Sequence, residues 1–247
     1  MSTTRSNIII ALDYAAADTA LAFVDRIDPE LCRVKVGKEL FTVAGPKLIK
    51  QLVDRKFEVF LDLKYHDIPN TVINACLAAA DLGVWMVNVH ALGGPVMLEA
   101  VSDAYAKLTH APKLIAVTIL TSMDQQQLQA IGFTSTIDQV VQRLAGLSID
   151  AGLDGIVCSA QDIPGLKAAK KAVPEGFEFA TPGIRPASSD DTQTNLPHGH
   201  KDDQKRVLTP RQAIQAGANY LVIGRPVTQA VNPLNQLNSI INSFDKS

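Results

Sequence analysis

Residues 57–71 read FEVFLDLKYHDIPNT, an apolar run that gathers charge at its far end and closes on a proline turn. Its first part, residues 57–64, has the aromatic and aliphatic character of a strand buried on both faces. Side chains two apart on a strand share a face, so Asp62 and Lys64 point the same way, with Asp67 just beyond the strand end. That spacing places an ammonium between two carboxylates, which favours the charged lysine even in partial burial. A lysine held in that state is a poor nucleophile but a good proton donor and electrostatic stabiliser. The same spacing also suits a structural ion cluster at a strand end, so the rest of the chain has to decide between the two.

The unit recurs. Apolar runs at 8–12, 32–36, 57–63, 85–89, 114–120, 155–158, 177–181 and 220–223 alternate with alanine- and leucine-rich stretches at helical spacing, such as 16–27, 71–82 and 137–151. Near-continuous apolar strands separated by helices indicate a parallel sheet covered by helices. Eight such units in 247 residues fit a (β/α)8 TIM barrel better than an open sheet. The strings AGLDG at 151–155 and AGAN at 216–219 read as helix ends leading into the sixth and eighth strands, with glycine in the left-handed position. Asp81-Leu82-Gly83 plays the same part before the fourth. No Gly/Ser-rich linker divides the chain, so residues 1–247 are expected to form a single domain. One segment breaks the rhythm: 186–205 (PASSDDTQTNLPHGHKDDQK) is polar and aperiodic and follows the seventh strand, where a lid would sit.

Composition narrows the class of function. Hydrophobic residues at 47% and charged residues at 19% suit a globular enzyme rather than a disordered or fibrous chain. With a net charge of −2 and no basic run, neither nucleic acid nor an anionic membrane is expected as a partner, so an anionic ligand must be held by a few placed groups. Cys32, Cys76 and Cys158 show no zinc-type or C-x-x-C spacing and read as buried thiols. The start, MSTTRSNIII, has no long apolar stretch before a cleavage site, and a cytoplasmic location is expected.

In a barrel, active-site residues come from the C-terminal ends of the strands. Those ends carry Asp13, Lys35, Asp62 and Lys64 on the first three strands, and Thr121 after the fifth. Pro182 and Arg185 follow the seventh, and Gly224-Arg225 ends the eighth. Two lysines, an arginine and several carboxylates converging on one mouth favour a site over a solvated surface. Barrels often bind phosphate after strands seven and eight; there Gly224 allows close backbone approach and Arg225 offers a bidentate fork.

The chain resembles the orotidine 5′-phosphate decarboxylase family, bacterial type. The resemblance rests on Asp62 through Thr71 (DLKYHDIPNT), supported by Ala11-Leu12-Asp13, Val34-Lys35-Val36-Gly37, Leu120-Thr121-Ser122, Thr181-Pro182-Gly183-Ile184-Arg185, Asp202-Asp203-Gln204-Lys205-Arg206 and Ile223-Gly224-Arg225-Pro226. It implies decarboxylation of orotidine 5′-monophosphate to UMP and CO2, the final step of de novo pyrimidine synthesis, with no metal and no organic cofactor. Under it, Lys64 stabilises and protonates a C6 carbanion, Asp62 faces the departing carboxylate, and Asp13 and Lys35 hold ribose hydroxyls, with Lys35, Asp62, Lys64 and Asp67 together the catalytic Lys-Asp-Lys-Asp array. Thr121 contacts the pyrimidine and Pro182 packs near the ring. Gln204 bridges base and phosphate from the lid, while Arg185, Gly224 and Arg225 bind phosphate. Asp67, Ile68 and Thr71 match positions that reach a neighbouring subunit's site, which implies a homodimer with composite sites.

Two other readings compete. A Mg2+-dependent sugar-phosphate decarboxylase or aldolase of the same superfamily shares the Asp-x-Lys-x-x-Asp core but calls for a further acidic ligand, where the second strand offers Lys35. A non-catalytic nucleotide-binding barrel is disfavoured because the whole charged array is in place. His198 and His200 lack a third metal ligand and read as loop, and His66 and His90 as hydrogen-bonding groups near the mouth.

Overall fold

The structure, a computed structural model, describes residues 7–169, 171–186 and 207–245. Eight parallel strands close into a barrel in sequence order, β1 pairing with both β2 and β8. They are β1 (Ile8–Ala11), β2 (Arg33–Gly37), β3 (Val59–Tyr65), β4 (Met86–His90), β5 (Lys113–Val117), β6 (Gly155–Val157), β7 (Glu178–Thr181) and β8 (Tyr220–Ile223). Each overlaps an apolar run of the sequence, and the fold is the expected (β/α)8 barrel.

Strand alternation sorts the apolar side chains into two cores. Ile9, Phe60, Met86, Ile115, Tyr220 and Val222 point into the barrel and pack on one another. Their neighbours Ile8, Ile10, Leu61, Val87, Leu221 and Ile223 point outward, beneath the helices. Both faces of most strands are therefore dry, which is why those strands read as apolar runs; β2 (RVKVG) alternates instead, its Arg33 and Lys35 facing the barrel interior.

Local signals stop and start the helices. Asp124 with Gln127, Thr136 with Gln139 and Thr209 with Gln212 form reciprocal capping boxes at the starts of Gln125–Ala130, Ile137–Asp150 and Pro210–Ala216. The last of these helices ends on Gly217 at φ 103°, as its sequence pattern suggested, and Gly83 and Gly152 also take positive φ. Gly155 opens β6 where the Glu178 backbone leaves no room for a β-carbon. Cys32, Cys76 and Cys158 are buried thiols outside any disulfide, and burial pushes the Cys76 thiol up to about 12.

The run expected over 114–120 ends as a strand at Val117. Thr118 still donates its hydroxyl to the Val157 carbonyl, but residues 119–121 peel away over the barrel mouth. At the opposite end of the barrel, the Arg33 guanidinium lies over the rings of Trp85 (4.5 Å) and Tyr220 (5.3 Å). Arg33 also pairs with Glu58 at 2.7 Å, and Glu178 takes both Lys113 and the Tyr220 hydroxyl at 2.8 Å. This plug closes the N-terminal end and leaves the other end as the open one.

Candidate active site

The open end holds a cavity of about 1030 Å3, ample for a nucleotide-sized ligand. Its floor is the top of the inner core, including Phe60, Val117, Val157 and Val222. Its walls carry the strand-end residues expected from the sequence: Asp13, Lys35, Asp62 and Lys64 from one side, Pro182, Arg185, Gly224 and Arg225 from the other, with Thr121 between. Gly224 runs close to the acid of β1, since a β-carbon there would stand 3.4 Å from Asp13 Oδ2. The short helix Arg225–Thr228 follows directly.

The charged side chains form a chain of contacts across three strands. Register sets it up: Ala11 lies beside Lys35, Lys35 beside Phe60, and Gly37 beside Asp62. Lys35 Nζ lies 3.9 Å from Asp13 Oδ1 and 3.1 Å from Asp62 Oδ2. Lys64 Nζ donates to Asp62 Oδ1 at 2.6 Å. Asp62 is buried, and burial alone would raise its pKa. The ammonium groups of Lys35 and Lys64 outweigh that cost, with hydrogen bonds from Lys64 and Asn88, and hold the carboxyl well below the usual carboxylate range.

Lys64 itself sits in an uncommon backbone conformation. Its φ is 52°, in the left-handed region, and the β3–β4 register shifts between Leu61 and Tyr65. The bulge carries the chain off the strand path while the side chain still meets Asp62. A non-glycine residue in this region costs on the order of 1 kcal/mol or more, so the surroundings have to hold it there.

Other residues fall elsewhere. Asp67 is exposed, and its Oδ1 accepts from the Ile68 N–H at 2.7 Å. Among the described residues of one chain, Lys64 therefore pairs with one carboxylate, not the two suggested by charge spacing. Ile68 and Thr71 are likewise exposed and lie outside the cavity. Gln204, His198 and His200 lie outside the described residues. His90 is half-buried at the end of β4, its ring 5.6 Å from that of His66. Its Nδ1 is buried with no hydrogen-bond partner, at odds with the hydrogen-bonding role expected of it. Burial, then the neighbouring charges of His66, Lys64 and Lys38, push it down to about 4.

The sequence reading gave no site role to Ile119, Leu120, Gln229 or Asn88. All but Asn88 line the cavity; Leu120 stands in the Leu120-Thr121-Ser122 string, while Ile119 and Gln229 carry no pattern that marks them. Asn88 is fully buried on β4 and bonds to both Lys64 and Asp62. A signal for it existed, because an asparagine inside the apolar run MVNVH must find partners if that run is a buried strand.

Together these features define a charged acid–base centre on the C-terminal face of a (β/α)8 barrel, where active sites of this fold lie. A family model described as orotidine 5′-phosphate decarboxylase / HUMPS family matches residues 6–240. Among curated relatives, the orotidine 5′-phosphate decarboxylase of Nitrosococcus oceani is 54% identical over 236 residues, covering 96% of each chain. That of Salmonella typhimurium is 53% identical over 244 residues, covering 98% of this chain and 94% of its own. A crystal structure of orotidine 5′-phosphate decarboxylase from Lactobacillus acidophilus superposes with a TM-score of 0.81 at 33% identity, over 96% of this chain and 98% of its own. The chain belongs to the orotidine 5′-phosphate decarboxylase / HUMPS family.

Proposed function

We propose that this chain is an orotidine 5′-phosphate decarboxylase, converting orotidine 5′-monophosphate to UMP and CO2, the last step of UMP synthesis. The observation that carries the reading is the Lys64 ammonium, set 2.6 Å from a buried carboxylate that a second ammonium also holds charged. Breaking the bond from C6 to the carboxylate leaves an electron pair in the plane of the ring, where π delocalisation cannot reach it. A fixed ammonium beside C6 stabilises that pair as it forms and then donates its proton to it. Asp62 lies beside the same ammonium and faces the departing carboxylate; it holds Lys64 in place in either state.

The remaining roles follow the strand ends. Asp13 and Lys35 hold the ribose hydroxyls, Thr121 reads the pyrimidine, and Pro182 packs against the ring. Arg185, Gly224 and Arg225 receive the phosphate, and Gln204 joins base to phosphate from the lid. Phosphate binding far from C6 then supplies energy for assembling the site around the reacting carbon. Asp67, Ile68 and Thr71 serve a neighbouring copy's site in a homodimer. Supporting this, the segments that follow β2, β3 and β4 expose Val43 (64%), Ile68 (68%) and Val96 (69%), apolar side chains available to a partner. No helix among the described residues is long and apolar enough to cross a membrane; we read the enzyme as cytoplasmic and its chain as one domain.

The Mg2+-dependent alternative is not favoured. Asp62 already faces two ammonium groups, so a divalent cation at that carboxylate would meet two like charges. The test is conversion of orotidine 5′-monophosphate in excess EDTA, followed by loss of the orotate chromophore. Rapid metal-independent formation of UMP is expected. No conversion, with activity on a ketose phosphate restored by Mg2+, would overturn the assignment.

A further inference from the structure

We infer that Asn88 is a positioning residue for the reacting lysine, holding the Lys64 backbone and the Asp62 carboxylate with the two ends of one side-chain amide. The inference rests on the decarboxylase reading above and deepens it. Asn88 Oδ1 accepts from the Lys64 backbone N–H at 2.8 Å, and Asn88 Nδ2 donates to Asp62 Oδ1 at 2.7 Å. The same Asp62 oxygen accepts from Lys64 Nζ at 2.6 Å. The three side chains thus form a closed ring of hydrogen bonds, in which Lys64 is gripped at its backbone and at its ammonium. Only one orientation of the amide serves, because an N–H needs an acceptor and a carboxylate needs a donor.

The bulge explains why such a clamp is required. Along β3 the backbone groups alternate sides: the Glu58 carbonyl accepts from Val34 of β2 and the Val59 carbonyl from Trp85 beside β4. An unbroken ladder would therefore turn the Lys64 N–H toward β2, which ends at Gly37 opposite Asp62. With the register shift between Leu61 and Tyr65 and the left-handed φ of 52°, that N–H points instead to Asn88 on β4. The Asn88 side chain gives the redirected N–H its acceptor, and its own burial is complete. It lies beneath Lys64, and its β5 neighbour in register, Ile115, is apolar. The charged groups facing this amide are Asp62 and Lys64 from β3, with Lys35 reaching the same carboxylate from β2 and His90 two residues along β4.

Two variants test the role. Asn88→Leu keeps the volume and removes both bonds; it should lower kcat about 100-fold while changing the affinity for UMP less than about 3-fold. Asn88→Asp keeps the acceptor for Lys64 but sets a second carboxylate against Asp62. A protonated aspartic acid restores the donor, so the kcat of this variant, relative to the parent, should rise as pH falls from 8 to 5.5. A residue that only filled space would give no such recovery. Should Asn88→Leu fold poorly, the pH profile of Asn88→Asp, read alongside circular dichroism at each pH, decides alone. An active parent with an Asn88→Leu kcat within about 3-fold of it, or an Asn88→Asp profile parallel to it, overturns the role alone. A parent without turnover of orotidine 5′-monophosphate overturns the reaction and this role together.

Discussion

Replacing Lys35 with methionine should have opposite effects on stability depending on whether Asp62 carries its charge. Asp62, Lys35 and Lys64 are enclosed, with side-chain exposures of 10%, 12% and 26%. At an effective dielectric of about 20, contacts of 3.1 and 2.6 Å correspond to gross attractions of roughly 5 and 6 kcal/mol, most of it offset by desolvation. Asp62→Asn removes both attractions and leaves two ammonium groups on the order of 6 Å apart, repelling by roughly 3 kcal/mol before the side chains relax. The variant should lose about 3–5 kcal/mol. In the parent, Lys35→Met strips Asp62 of one of its two cations and should cost about 1–2 kcal/mol. In the Asp62→Asn background it removes the repulsion and should restore about 1–2 kcal/mol, giving a coupling of roughly 3 kcal/mol.

Urea unfolding of the four proteins reads this out through Trp85, the sole tryptophan, which lies in the plug at the far end of the barrel, edge-on to Tyr220 at 5.1 Å. The probe is therefore remote from the substitutions, and midpoints shift at constant slope. If Lys35→Met destabilises both backgrounds equally, the two ammonium groups are not coupled through Asp62, and the account of the charge array is wrong.

Lys64→Ala should reduce turnover of orotidine 5′-monophosphate by at least about 10^4-fold, because one group supplies both the electrostatic stabilisation and the proton; appreciable residual turnover in a folded variant would remove Lys64 from that role. His90 is shifted down from 6.5 to about 4, so between those values the unfolded chain binds the extra proton and stability falls as pH drops. His90→Gln should flatten that part of the curve, and parallel losses in parent and variant between pH 7 and 4.5 would clear His90 as the cause. Arg33→Met, which removes the guanidinium beside Glu58 and over the Trp85 ring, should cost about 1–3 kcal/mol of stability and leave kcat unchanged; a fall in kcat would mean that the plug is coupled to the mouth.

The barrel was legible because most of its strands are buried on both faces and so read as apolar runs, with glycines such as Gly83, Gly152 and Gly217 marking helix ends between them. The convergence of Asp13, Lys35, Asp62, Lys64, Thr121, Pro182, Arg185, Gly224 and Arg225 on one cavity was legible for a related reason: in this fold, position along a strand decides which end a side chain faces. The conformation of Lys64 was not legible. Lysine has no preference for positive φ, and strand periodicity, which placed Asp62 and Lys64 on one face, says nothing of a bulge that arises from the pairing of β3 with β4. The placing of Lys64 between two carboxylates failed within one chain, since charge spacing ignores the turn that carries Asp67 out to solvent. Residues 118–120 were read as strand because hydrophobicity does not distinguish a wall of the cavity from a wall of the barrel.

The arrangement also answers how a chain with a net charge of −2 can hold an anionic nucleotide without a basic surface. Lys35, Lys64, Arg185 and Arg225 line the cavity against Asp13 and Asp62, a local excess of positive charge above an apolar floor of Phe60, Val117, Val157 and Val222. An apolar floor limits screening from below, so a small excess acts more strongly there than the same charges would on an open surface. Its parts divide the work. On the proposed function, a phosphate at Arg185 and Arg225, which come from the strand ends opposite Lys64, would lie away from the reacting carbon, while Asp62 balances Lys35 and Lys64. Removing an arginine should then weaken binding, whereas removing Asp62 should disturb the placement of both lysines at once, which is why the stability cycle at Lys35 and Asp62 probes the same coupling that the chemistry depends on.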